Sequence, residues 1–146
     1  MKKNRRKARE LALQGLYQRQ LTGDPVDVIE AQLREHEEFA KIDDAHFTAM
    51  LRGAIKDASV LEAYIQPCLD RPLGGLSPVE RAILLLATYE FVHHLEIPYR
   101  VVINEAIELA KAYGGTDGYK YVNGVLDKLA VKVRTTEVTG SKPARA

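Results

Sequence analysis

The chain has 146 residues, enough for one domain with its own core, and its 46% hydrophobic and 28% charged residues are typical of a globular protein. The formal net charge is only +1, so any affinity for nucleic acid must come from a local cluster of basic residues. The single cysteine, Cys68, cannot form a disulfide within the chain and favours a reducing, cytoplasmic location. No stretch is apolar over the length that a membrane-spanning helix needs, so no membrane partner is expected.

The first helix, expected from about residue 4 to residue 21, begins in a dense run of basic side chains. They all precede the first acid, Glu10, and are Lys2, Lys3, Arg5, Arg6, Lys7 and Arg9. A helix N-terminus already carries partial positive charge, so this placement is unfavourable unless an anion such as phosphate offsets it. Tyr17 shares a helical side with Arg6, and rings beside basic groups are typical of single-stranded RNA sites. The alternative is a solvated charge run that binds nothing.

The rest of the first half predicts two more helices and an acidic surface. A short helix is expected from about residue 26 to 38, and Asp43 or Asp44 can cap a long helix that ends near Pro67. Acids outnumber bases between residues 24 and 62, which favours a basic partner. We call these acids the acidic shoulder: Asp24, Asp27, Glu30, Glu35, Glu37, Glu38, Asp43, Asp44, Asp57 and Glu62.

The segment LDRPLGG predicts a linker between two helical halves, about 1–70 and 76–134. After it, the segment SPVE carries a helix cap at Ser77 and a capping-box acid at Glu80, and opens a helix that is apolar almost all round. Another helix is expected to begin at Pro98 and to end at Gly114 and Gly115. Asp117 is expected to cap the last helix. The tail, 135–146, is expected to be disordered. No strand pattern occurs, so the sequence predicts an all-α fold of about six or seven helices.

A second candidate anion site lies in the segment AYGGTDGYKYVNG. Its glycines leave backbone N–H groups open at the start of the last helix, Lys120 adds charge, and Tyr113, Tyr119 and Tyr121 offer rings. The alternative is a glycine-capped turn whose tyrosines pack at the edge of the core.

Enzymatic interpretations find little support in the sequence. Glu90 and His93 have the spacing of a di-metal helix pair, but such sites need a second pair and two further carboxylates. Cys68 has no base nearby in sequence, and neither a P-loop nor a dinucleotide fingerprint is present. The sequence therefore predicts a protein that is not an enzyme, with no catalytic residue, metal or cofactor.

Three segments together resemble one known family. They are RRKARELALQGLYQ, LSPVERAILLLATYE and IPYRVVINEAIELAKAYGGTDGYKYVNGVLDKLA, and they resemble the NusB family of bacterial transcription antitermination factors. The resemblance covers roughly residues 5–134. It implies a NusB-like all-helical fold of two small subdomains and a non-catalytic function. Such proteins bind boxA RNA of nascent ribosomal RNA transcripts together with a small-subunit ribosomal protein, NusE. The assembly acts on RNA polymerase to suppress premature termination, and some members form homodimers.

The resemblance also assigns site residues. The arginine-rich motif of the family falls on Arg5, Arg6, Lys7 and Arg9, which we call the basic arm, and Lys7 replaces a frequent arginine. The remaining RNA-binding positions implied by the resemblance are Tyr17, Tyr113, Asp117, Lys120 and Tyr121. Glu80 matches the acid that faces the ribosomal protein, although the capping box competes for the same carboxylate.

Two rival functions remain open on the sequence alone. The same fold occurs as the RNA-binding module of ribosomal RNA methyltransferases, and a helical adaptor could carry an incidental basic arm. Salt-sensitive RNA affinity distinguishes an RNA-binding protein from an adaptor, and methyl transfer requires S-adenosylmethionine binding.

Overall fold

The computed structural model describes residues 4–115 and 117–140, and within these ranges the fold is all-α. The described residues contain no strand, and Asn4 and Ile42 form an isolated β-bridge. Eight α-helices occur in the described ranges: α1 (Arg5–Thr22), α2 (Val26–Arg34), α3 (Asp44–Lys56), α4 (Ala58–Ile65), α5 (Pro78–His93), α6 (Tyr99–Tyr113), α7 (Gly118–Val133) and α8 (Thr135–Thr139). Short 3₁₀ turns occupy Phe39–Lys41, Gln66–Cys68 and Leu73–Gly75. The predicted fold class is confirmed.

Helix α5 lies at the centre of the fold, as the sequence predicts. Ser77 and Glu80 form both hydrogen bonds of a capping box, and Pro78 occupies the first turn. Most of the helix is buried, because it packs against α1, α3, α4, α6 and α7. Full burial of a side chain such as Leu84 or Phe91 contributes roughly 1.5–3 kcal/mol.

The long helix expected after Asp43 is divided into α3 and α4. Asp43 caps α3, since its carboxylate accepts a hydrogen bond from the backbone N–H of His46 at 3.0 Å. The chain leaves the helical conformation at Asp57, where φ is −101° and ψ is 18°, and α4 begins at the next residue. The expected apolar stripe nevertheless continues across the break, because Leu51 and Leu61 are both buried.

The cap expected at Asp117 is wrong. Asp117 precedes α7, but its side chain makes no capping hydrogen bond and lies instead 3.4 Å from the ammonium of Lys120. The glycines before it end α6 as expected: α6 stops at Tyr113, and Gly115 has a φ of +83°, a conformation that glycine adopts without strain.

The residues after Arg134 are helical rather than disordered as far as Thr139. The buried Arg134 guanidinium donates to the carbonyl oxygens of Phe91 at 2.7 Å and Ile97 at 3.0 Å, and pairs with Glu137. Glu137 in turn accepts a hydrogen bond from the backbone N–H of Tyr99 at 2.7 Å. These bonds fasten α8 to the end of α5 and the start of α6. Residues 141–146 of the predicted tail lie outside the described residues.

One apolar core draws on helices from both sides of the LDRPLGG segment. It includes Leu11 and Phe47 before the segment and Leu84, Val102 and Leu126 after it. The division into halves at about 1–70 and 76–134 stays a prediction. No helix of the described residues combines the length and the apolar character needed to cross a membrane.

Candidate nucleic-acid interface

The basic arm projects from the first two turns of α1, which are fixed to the rest of the fold. Asn4 caps the helix by accepting a hydrogen bond from the backbone N–H of Lys7 at 2.9 Å. Its own backbone bonds to Lys41 and Asp43, at 3.2 Å each. No acid lies in the first turn of α1, so the unfavourable placement of positive charge is real. Lys2 and Lys3 lie outside the described residues.

Three residues of the arm, Arg5, Arg6 and the half-buried Lys7, are each paired with an acid. Arg5 lies 3.0 Å from Asp43, and Arg6 donates two bonds of 3.0 Å to Glu105 on α6. The ammonium of Lys7 lies between Glu10 at 3.1 Å and Glu38 at 3.0 Å. The side chains of Arg5 and Arg6 are still 44% and 61% exposed. The arm is therefore neither a free charge run nor a bare cationic patch.

Arg9 does not belong to this surface, which corrects the prediction from the sequence. Its side chain is 6% exposed and donates three hydrogen bonds of 2.8–3.1 Å to the carboxylate of Glu90 on α5. The ring of His46 completes the cluster, with its Nε2 atom 2.9 Å from the same carboxylate. Arg9 is thus a structural residue in the core, and the RNA-binding role expected for it is withdrawn.

The Arg9–Glu90–His46 cluster sets the ionisation of its acid. Burial alone would raise the pKa of the Glu90 carboxyl, but the hydrogen bonds from His46 and Arg9 outweigh it and hold the pKa below its ordinary value. Glu90 is therefore not available for the di-metal arrangement considered from its spacing to His93. No cluster of His, Cys, Asp and Glu suited to a metal ion occurs in residues 4–115 and 117–140.

Tyr17 and Tyr113, predicted separately, lie together. Both line an apolar groove of about 230 Å³ between α1, the start of α5 and the end of α6, which also includes Leu13, Gln14 and Val79. Their side chains are exposed, Tyr17 to 39% and Tyr113 to 44%. The groove offers two rings to a flat or apolar ligand group.

Tyr121 lies in a second cleft with Lys120 and Lys128. Its hydroxyl donates to Asp70 at 2.9 Å, and the guanidinium of Arg71 lies 4.2 Å from the ring centroid. The pKa of Asp70 is lowered, first by the hydrogen bond from Arg71 and then by that from Tyr121. The cleft therefore combines the Tyr121 ring with two lysines and the Asp70 carboxylate, and Arg71 packs over the ring. Rings beside cationic side chains are suited to a base and its phosphate.

Sequence reasoning missed Asp70 and Arg71. They lie in the segment LDRPLGG, which was predicted only as a linker. Asp70 and Arg71 contact Tyr121, which lies 51 and 50 residues later in the chain, and local sequence spacing does not reveal such a distant contact. Helical periodicity places Arg9 beside Ala12 and Leu13, on the buried side of α1. A buried arginine needs an acidic partner, and the acid within the apolar helix α5, Glu90, was the signal that could have identified it.

Comparison with known proteins places this geometry in a family. The NusB family model matches residues 6–131. The chain belongs to the NusB family. It is 60% identical over 137 residues to a protein of Paraburkholderia phymatum named transcription antitermination protein NusB, and the match covers 94% of each chain.

Two solved structures resemble this fold, and one of them is a NusB protein. NusB of T. maritima superimposes with a TM-score of 0.77 at 35% identity, covering 89% of this chain and 92% of that one. A chain in a crystal structure described as a plectonemic RNA supercoil superimposes with a TM-score of 0.76 at 25% identity, over 93% of this chain and 97% of its own.

Glu80, which the resemblance assigns to the partner protein, is engaged locally at the start of α5. Its backbone N–H donates to the Ser77 hydroxyl at 3.1 Å, and its carboxylate accepts from the Ser77 backbone N–H at 3.2 Å. Val79, one residue earlier, lines the groove of Tyr17 and Tyr113. The groove therefore adjoins the turn that contains Glu80.

Much of the acidic shoulder is neutralised within the fold. Arg52 pairs with Asp27 at 2.7 Å and with Glu30 at 2.9 Å, and Arg34 pairs with Glu30 and Asp44. The hydrogen bond from Arg52, followed by that from Arg34, lowers the pKa of Glu30 against the effect of burial. These ion pairs leave the net charge of the segment unchanged, but they engage Asp27, Glu30 and Asp44 within the fold.

Proposed function

We propose that this protein is a cytoplasmic transcription antitermination factor. In this proposal it binds boxA RNA of nascent ribosomal RNA transcripts together with the small-subunit ribosomal protein NusE, within an antitermination complex on RNA polymerase. The observation that carries the proposal is the 60% identity, over 94% of both chains, to a relative named transcription antitermination protein NusB. The role is one of binding and assembly, without catalysis.

The exposed cations and rings support RNA as the ligand. Arg5 and Arg6 can contact phosphates, because exposed ion pairs such as theirs contribute only about 0–1 kcal/mol and exchange readily. Tyr121 with Lys120 offers a stacking platform beside positive charge. Single-stranded RNA is commonly bound by this combination, with stacking contributing about 1–3 kcal/mol per base.

The ribosomal protein is assigned to the start of α5. Glu80 and the groove of Tyr17 and Tyr113 adjoin there and provide both polar and apolar contacts. The same groove contains rings assigned to RNA. In this proposal the RNA and the ribosomal protein are adjacent at the start of α5, and this adjacency explains why the two bind together.

The rival functions have less support. The Paraburkholderia relative is matched over 94% of its own length, which leaves no room in that relative for a methyltransferase domain. An adaptor without RNA affinity would give no function to the exposed Arg6 or to the partly accessible Tyr121.

A gel-shift experiment tests the proposal. Radiolabelled boxA RNA and a scrambled RNA of equal length are titrated with the protein, with and without purified NusE. We expect preferential binding of boxA RNA and a further gain in affinity with NusE. Equal binding of both RNAs in the presence of NusE would refute the proposed specificity, and separate elution of the two proteins on gel filtration would refute the proposed partner.

A further inference from the structure

The contact between Arg6 and Glu105 uses the edge of the guanidinium that recognises anions best. Nε donates to one carboxylate oxygen and Nη2 to the other, both at 3.0 Å, across 99 positions of sequence. Two parallel bonds of this kind are also the preferred way for arginine to bind phosphate. The hydrogen bond to Glu105 is the first cause of a raised pKa of Arg6. Phosphate and Glu105 therefore require the same face of Arg6.

We propose that Glu105 is a built-in competitor for RNA phosphate at Arg6 and sets the RNA affinity of the basic arm. The inference rests on the proposed function, since the competing ligand is the RNA phosphate. RNA binding through Arg6 exchanges one carboxylate for one phosphate, so the net gain is smaller than a free arginine would give. Glu105 thereby lowers the affinity of Arg6 for the phosphates of any nucleic acid, whatever its sequence.

Glu105 can leave Arg6 without losing every cationic neighbour. Its carboxylate also lies 3.9 Å from Nη1 of Arg9, and its side chain is 17% exposed. Arg9 is itself held by Glu90 and does not move to solvent. The released carboxylate therefore keeps a positive charge beside it, and the exchange at Arg6 costs less than the loss of an isolated ion pair.

Glu105 provides a cleaner test than the other acids of the arm. Asp43 pairs with Arg5 but also caps α3, so its replacement disturbs the fold. Lys7 is shared between Glu10 and Glu38, so neither acid controls it alone.

Glu108 is the matched control. It lies one helical turn beyond Glu105 on α6 and is exposed. Its side chain makes no ion pair or hydrogen bond among the described residues and acts on Arg6 through its charge alone, as a minor contribution to the raised pKa of Arg6. Glu105→Gln and Glu108→Gln remove the same charge from the same helix. The difference between them isolates the bond to Arg6 from the general electrostatic effect on a polyanion.

The experiment measures the affinity for boxA RNA by fluorescence anisotropy between about 50 and 200 mM salt. We expect Glu105→Gln to bind about two- to fivefold more tightly than Glu108→Gln at low salt, the range that an exposed ion pair can supply. Its salt dependence should be steeper than that of the wild type, because rising salt no longer frees Arg6 from Glu105. Glu105→Asp, which keeps the charge but shortens the side chain, should give a smaller gain.

Repeating both substitutions in an Arg6→Ala background completes the cycle. The difference between them should then vanish. Equal affinities of Glu105→Gln and Glu108→Gln with Arg6 present would overturn the proposal, as would a gain that persists without Arg6. Weaker binding by a folded Glu105→Gln variant would also overturn the proposal, because it would show that Glu105 orients Arg6 for phosphate instead of competing with it. Failure of the wild type to bind any RNA would instead overturn the proposed function, and this inference with it.

Discussion

Replacement of Arg9 tests the distinction between the buried and the exposed arginines of α1. Arg9→Ala removes all three hydrogen bonds that the guanidinium gives to Glu90 and leaves this carboxylate, 3% exposed, with His46 as its remaining side-chain partner. Removing one member of a buried ion pair typically costs about 3–5 kcal/mol, because the other charge stays buried. At roughly 2–4 °C per kcal/mol for a chain of this size, the midpoint of thermal unfolding should fall by about 6–20 °C.

Arg6→Ala is the matched control, since it removes the same side chain from the same helix. Arg6 is 61% exposed, and the loss of its pair with Glu105 should change the free energy of unfolding by no more than about 1 kcal/mol. Thermal unfolding followed by far-ultraviolet circular dichroism compares the two variants. Equal stability of Arg9→Ala and Arg6→Ala would refute the assignment of Arg9 to the core.

Further predictions concern the same core and its helices. The pKa of Glu90 is lowered in the fold, so the stability that its charge contributes is present above its ordinary value of 4.5 and is lost as pH falls through the folded pKa. The stability difference between wild type and Glu90→Gln should therefore shrink below about pH 4.5 in acid titrations, and a constant difference would argue against it. Gly53→Ala should destabilise the fold by about 1–3 kcal/mol in urea unfolding, because its Cβ would overlap the ring of Tyr89. Gly124→Ala, with open space around it in α7, should be neutral or stabilising by up to about 1 kcal/mol, so equal losses at both glycines would contradict the packing. Arg134→Ala should increase amide hydrogen exchange in α8, because its bonds to Phe91, Ile97 and Glu137 are lost; unchanged protection would show that other contacts hold α8.

The sequence was most informative where a local signal and burial agree. The capping box at Ser77 and the continuous apolar run after it correctly predicted the start and the central position of α5. The break at Asp57 could not be found in this way, because neither proline nor glycine marks it and the apolar stripe continues across it. Local pattern thus defines which face of a segment is buried better than it defines where a helix is interrupted.

The candidate site shows a similar division. Arg5, Arg6, Tyr17, Tyr113 and Tyr121 are accessible to some degree, as a binding role requires. Pairing between distant charges was beyond local reasoning: nothing near residue 6 signals Glu105, and nothing near residue 9 signals that its arginine is buried. The identity of a basic residue gives its charge, whereas only the tertiary fold determines whether that charge is free, shared or buried.

The central claim is that the accessible arm residues and Tyr121 bind RNA in different ways, through phosphate contact and base stacking. The most direct measurement is a salt titration of boxA RNA binding for the wild type, Arg5→Ala with Arg6→Ala, Tyr121→Ala and the control Lys56→Ala. Lys56 ends α3, about 20 Å along the helix from Asp43 and Arg5. We expect the arginine pair to flatten the log–log slope by about 0.7 per lost phosphate contact. Tyr121→Ala should cost about 1–3 kcal/mol with little change in slope, and Lys56→Ala should match the wild type. Wild-type affinity and slope in the double arginine variant would contradict the account and identify the basic arm as a surface charge run held by its own acids.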